Sequence, residues 1–158
     1  MTDAPSSGPR VFDEHDFRRL LAWEVQRATR YQDFLSLCLA RPEHPGAPSR
    51  DILEAMARRA ADLLRATDVV GLQDDDSIAI MLVHTPDSDA RTITDRVRAL
   101  LEGLTLRAGP DAPAVKSVLA LGLASFPTDA TTDSALLEKA QTRLAAARPG
   151  AAGPFPTA

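Results

Sequence analysis

One stretch constrains this chain more than any other: residues 65–83, R-A-T-D-V-V-G-L-Q-D-D-D-S-I-A-I-M-L-V. Two β-rich runs flank three consecutive acids, and turn residues between such runs specify a β-hairpin. The second run, I-A-I-M-L-V, is short and unbroken in its apolar character, which places it in the interior of a sheet. Helical patterns stand on both sides of the hairpin, so the chain is expected to build a small α/β domain around it.

The remaining elements follow in order. Phe17, Leu20, Leu21, Val25 and Ala28 recur three to four apart, the spacing of one helix face, over 13–30. Residues 34–40 read as a strand. Pro42, Pro45 and Pro48 then argue against any continuing regular element. Ser49 caps a helix whose inner positions are Ile52, Leu53, Met56, Ala60 and Leu63, ending near Arg65. The hairpin strands are 68–72 and 78–83. A helix over 88–102 carries Ile93, Val97, Leu100 and Leu101, and a long strand over 115–125 has small residues at Ala120, Gly122 and Ala124, suited to close helix packing. A last helix spans 133–147. The order α, βαββαβ, α predicts an α+β sandwich: a ferredoxin-like βαββαβ core with a four-stranded antiparallel sheet and flanking terminal helices. Residues 11–150 form the domain, with flexible tails at 1–10 and 151–158.

Composition narrows the function. A formal charge of −4 gives no general attraction to nucleic acid or to anionic membranes. No apolar run approaches the ~18 residues of a membrane span, and no leader-like run follows Met1, so a cytoplasmic location without membrane insertion is expected. The one cysteine, Cys38, sits in an apolar run and is read as a small buried hydrophobe. The three histidines, His15, His44 and His84, lack ligand spacing, so no zinc site is expected. Neither they nor Ser36 and Cys38 form a nucleophile–base–orienter pattern. No cofactor is expected.

Several fragments, taken together and in order, resemble the GGDEF domain, the diguanylate cyclase fold of bacterial signalling. They are F-R-R-L-L-A-W-E-V-Q-R-A-T-R-Y with L-S-L-C-L, then R-A-T-D-V-V, A-L-G-L-A-S-F-P-T-D and L-L-E-K-A-Q-T-R-L-A-A-A-R-P-G. The likeness covers about 13–150. Cyclases of that family join two GTP molecules into cyclic di-GMP, with carboxylate-bound magnesium to neutralise triphosphate charge.

Here the resemblance implies lost chemistry. The signature turn falls on Asp74, Asp75, Asp76, Ser77 and Ile78, so acids replace two glycines that would let the backbone approach a nucleotide. Asp76 keeps one metal-ligand position and Ser77 replaces the following acid. The first-strand metal aspartate becomes Arg41, two residues before Glu43, and the connection from Glu43 to Ile52 is shorter than the family's nucleotide-binding segment. Arg148 stands at the position of the closing helix's lysine. The chain is therefore expected not to be an enzyme and to hold no metal; Asp74, Asp75 and Asp76 read as a solvated turn.

Two roles stay open. In the first, the domain is a protein-interaction or regulatory module for an unidentified protein partner in a bacterial signalling pathway, with Arg18, Arg19 and Arg27 marking the contact face. In the second, Arg65 and Asp68 match the R-x-x-D of the family's inhibitory product site. With Arg96, or Arg98 as an alternative, they would bind cyclic di-GMP through guanidinium forks. A plain Arg65–Asp68 salt bridge is the competing structural reading of that motif.

Overall fold

In the computed structural model, which describes residues 10–43, 49–107, 110–114 and 116–147, the apolar run Ser77–Val83 is the middle strand of a sheet. The elements in chain order are β1 (Val11–Phe12), α1 (Glu14–Tyr31), β2 (Leu35–Glu43), α2 (Arg50–Ala61) and β3 (Val69–Gln73). Then come β4 (Ser77–Val83), α3 (Asp87–Glu102), β5 (Val118–Phe126) and α4 (Asp133–Ala146). The strands lie in the order β1-β3-β4-β2-β5.

The unbroken apolar character of β4 has a direct cause, because both faces of the sheet are covered. Ile78, Ile80 and Leu82 pack with Met56, Ala60, Val97 and Leu101 of α2 and α3. Ala79, Met81 and Val83 pack on the opposite side with Phe17, Leu21, Leu136 and Leu144 of α1 and α4. Alternate side chains of a strand point to opposite faces, so burial on both sides demands apolar residues at every position.

The sequence expectation of a four-stranded, ferredoxin-like antiparallel sheet is corrected here. Among the described residues the sheet has five strands and is mixed. Val11 and Phe12 form a short first strand that pairs in parallel with Val70 and Gly71 of β3, while the other pairings are antiparallel. A two-residue strand has no period to read, and its pairing is fixed by tertiary contact: a Cβ on Gly71 would come within 2.8 Å of Phe17 and 3.0 Å of the Phe12 carbonyl.

A second correction concerns Pro42, which lies inside β2 rather than ending it. The pairing of β2 with β4 ends at Ala40 opposite Ile78, whereas the pairing with β5 continues through Pro42 opposite Leu119. The missing N–H of Pro42 thus falls where no β4 partner requires it. The helix expected from Ser49 to near Arg65 ends at Ala61, and Leu63, expected on its inner face, lies beyond it and is exposed. Asp13, Ser49 and Thr132 cap α1, α2 and α4 by accepting backbone N–H bonds. Residues 1–9 of the expected tail 1–10, the whole of the expected tail 151–158, Val115, the Pro45 and Pro48 positions, His44 and Arg148 lie outside the described residues.

The β5 backbone is engaged by side chains from its surroundings. The Leu119 N–H donates to Glu102 Oε1 (2.9 Å) and the Ser125 N–H to Asp129 Oδ2 (2.8 Å), while the Leu123 carbonyl accepts from Arg143 Nη1 (2.7 Å). Arg143 also makes a two-pronged bridge to Asp129, at 2.9 and 3.0 Å. Gly122 is the point of closest helix approach: a Cβ there would lie 2.2 Å from the Ala140 carbonyl oxygen of α4.

Candidate functional site

The hairpin turn is held from outside. Gln73 and Ser77 pair across it, and Asp74 adopts φ 51°, a left-handed conformation that glycine takes freely and aspartate tolerates. The Glu14 carboxylate on α1 accepts from the Asp74 N–H and from Gln73 Nε2, both at 3.1 Å. Asp74 and Asp75 are exposed and Asp76 is half-buried, whereas Ser77 and Ile78 are buried strand residues. The Ser77 hydroxyl donates to the Gln73 carbonyl at 2.7 Å, closing the turn on itself.

Arg41, where the sequence resemblance places a metal aspartate, donates from Nε to Glu43 Oε1 at 2.7 Å. The cation occupies its neighbour's carboxylate. Among the described residues no group of three or more histidine, cysteine or acidic side chains is placed to hold a metal ion. Magnesium needs several converging oxygen ligands, and this donor set does not fit it.

The 65–68 motif forms a compact knot. One carboxylate oxygen of Asp68 accepts from the Arg65 N–H (3.0 Å) and the other from the Val83 N–H (3.3 Å). Arg65 Nη2 donates to the Val83 carbonyl (2.8 Å) and to Thr85 Oγ1 (2.9 Å), and stands 3.5 Å from Asp68 Oδ1. The Asp68 side chain is 1% exposed and that of Arg65 56%. Asp68 is thus committed to backbone donors, while Arg65 keeps an outward guanidinium edge. Arg96 is exposed on α3, about 13 Å along the helix axis beyond Asp87. Arg98 is half-buried, and its charge is felt by Cys38.

A buried hydroxyl chain extends from this knot. The Thr85 carbonyl accepts from Ser36 Oγ, which meets Ser125 Oγ at 2.8 Å. Ser36 is therefore a satisfied core hydroxyl. Burial pushes the Cys38 thiol up to about 12, so it is an inert core group.

The three arginines of α1 have different surroundings. Arg18 bridges to Glu14. Arg27 is locked between Glu24 (2.7 Å) and Asp33 (3.1 Å), and Asp33 also contacts His84. Arg19 lines an open groove of about 580 Å³ with Phe12, Asp16, Leu20, Trp23 and Gln26. Trp23 is 72% exposed and Tyr31 68%. Sequence reasoning passed over Trp23. Its signal is a large aromatic lying off the Phe17–Leu21–Val25–Ala28 face.

The sheet order, the covered faces and the tight hairpin define the class. The family model described as diguanylate cyclase, GGDEF domain, matches residues 49–152. The chain belongs to the GGDEF family. Among solved structures, the GGDEF domain of PA1120 (YfiN or TpbB) from Pseudomonas aeruginosa is similar at a TM-score of 0.78 and 23% identity, over 93% of this chain and 96% of that one. The FimX GGDEF domain from Pseudomonas aeruginosa gives 0.75 at 14%, covering 93% of each chain. The GGDEF domain of DgcB from Caulobacter crescentus, solved in complex with c-di-GMP, gives 0.68 at 12%, over 92% of this chain and 89% of that one. At such identities the likeness is one of fold. A comparison with curated proteins found no match. Among the described residues no helix is long and apolar enough to cross a membrane.

Proposed function

We propose that this chain is a catalytically inactive GGDEF domain that acts in cyclic di-GMP signalling as an interaction or regulatory module. The observation that carries this reading is the Arg41–Glu43 pair at 2.7 Å. It sets a fixed cation where the family resemblance places a metal ligand, and uses the adjacent carboxylate to neutralise it. The acidic side chains of Asp74 and Asp75 act in the same direction, since they repel a triphosphate at a turn where glycine would admit it. Incubation with GTP and magnesium, followed by chromatography, is expected to give no cyclic dinucleotide, and calorimetry no saturable micromolar GTP binding. Product formation would refute the proposal.

With synthesis gone, the surface has to carry the signal. The outer face of α1, with Trp23, Tyr31 and Arg19 exposed, is the contact surface we assign to this role. Arg27 supports the face from beneath through Glu24 and Asp33. Trp23→Ala is therefore expected to abolish partner capture, and Arg19→Glu to weaken it.

The outward edge of Arg65 favours a second reading, a cyclic di-GMP receptor built on Arg65 and Arg96. Asp68 would then orient Arg65 rather than meet guanine, because its oxygens are already engaged. Titration with cyclic di-GMP, using cyclic di-AMP and GTP as controls, tests it. Binding that vanishes in Arg65→Ala supports the receptor; equal binding by that variant places any nucleotide site elsewhere.

A further inference from the structure

Asp16, Trp23 and Arg30 are spaced by seven and by seven along α1. Seven residues make nearly two full helical turns, so the three side chains stand in one line, each outer one about 10 Å from Trp23. Two open grooves meet at this tryptophan. The first contains Asp16, and the second, of about 280 Å³, contains Arg27, Arg30 and Tyr31; Trp23 and Gln26 line both. The helix is thus acidic at one end of the line, basic at the other and aromatic at the centre.

We infer that this face binds a second copy of the same chain, α1 against α1 in antiparallel register about a two-fold axis at Trp23. An antiparallel copy places Asp16 of each chain against Arg30 of the other, so one residue pair is satisfied twice, as a self-complementary interface requires. The two Trp23 rings fill the grooves between them, which a single chain leaves open. Arg19 falls opposite Arg27, whose charge is already matched by Glu24 and Asp33, so that juxtaposition is weakly opposed. A parallel copy would instead set Asp16 on Asp16 and Arg30 on Arg30. A contact limited to one helix face buries on the order of 1,000 Å² in total, the lower end of specific interfaces, so association belongs in the micromolar range. This inference rests on the reading of α1 as the contact face and is independent of the loss of catalysis.

Trp23 is the one tryptophan of the chain, which makes the test direct. Analytical ultracentrifugation and tryptophan emission are followed from about 1 to 500 micromolar protein, bracketing the range such an interface implies. The expected result is a monomer–dimer equilibrium with emission shifting to the blue as dimer forms. Trp23→Ala should be monomeric throughout, with an unchanged circular dichroism spectrum and melting temperature. Asp16→Arg alone and Arg30→Glu alone should each weaken the dimer roughly tenfold or more, because each turns two attractions into two repulsions. Mixing these two variants, or combining both changes in one chain, should restore it. Single variants that dimerise as the parent does would overturn the antiparallel register. A monomer at every concentration would overturn self-association, while the GTP and partner-capture experiments would still judge the broader reading of the domain.

Discussion

Asp68 separates the two readings of the 65–68 motif at the level of single atoms. Its buried carboxylate accepts from the Arg65 and Val83 N–H groups, so removing it leaves backbone donors without their partner. Asp68→Ala is expected to cost about 3 kcal/mol in urea unfolding with no ligand present. Arg65→Ala, at a half-exposed position, should cost no more than about 1 kcal/mol. Equal and small losses would refute the structural role. Cys38 offers an independent probe: with its thiol pushed up to about 12 by burial, it should ignore a thiol reagent in the folded protein and react only on unfolding. At Asp129, burial opposes ionisation. The Arg143 fork, the Ser125 N–H and the charges of Arg143 and Lys139 together outweigh that burial, leaving its pKa below the ordinary carboxylate value. A lowered folded pKa stabilises above the unfolded value, and the contribution is lost as pH falls through the folded one. Unfolding free energy should therefore drop below about pH 4, and Arg143→Ala should remove that part of the acid dependence.

Among the elements, α4 and β5 make the tightest join. Gly122 has no room for a methyl group, because the Ala140 carbonyl and the Leu144 N–H occupy it at 2.2 and 2.5 Å. Gly122→Ala is expected to push α4 from the sheet and cost about 3 kcal/mol or more, while Ala→Gly at exposed Ala145 should cost about 1 kcal/mol. Gly122 was legible in the sequence as a small residue in an apolar strand, and so were the hairpin, the cap at Ser49 and most of the inner helix faces, Leu63 excepted. These signals are local, set by periodicity and capping chemistry. The parallel strand Val11–Phe12 was not legible, because its existence depends on the β3 edge that receives it. The passage of β2 through Pro42 was hidden for a related reason: whether proline is tolerated depends on the partner strand, which lies far away in sequence. At the site, the acids of the turn and Arg41 could be read directly. The burial of Asp68, the locking of Arg27 and the exposure of Trp23 are tertiary facts.

At the scale of the whole molecule, the sheet ends on one side at β5, nine residues long and, among the described residues, paired with β2 alone. Such a margin exposes unpaired amides and carbonyls that can recruit a strand from another molecule, the opening step of aggregation. This chain guards that margin with side chains. Glu102 takes the Leu119 amide, Asp129 the Ser125 amide, and Arg143 donates to the Leu123 carbonyl. Glu102→Ala, which removes one guard without touching the core, is expected to shorten the lag of thioflavin-positive aggregation under mild agitation while leaving the melting temperature within about 1 °C. An unchanged lag would refute the protective role of Glu102. Shelf life and foldedness thus become separable properties: two preparations equally stable to heat will differ in how long they stay in solution, according to whether three side chains keep a strand from finding a stranger's.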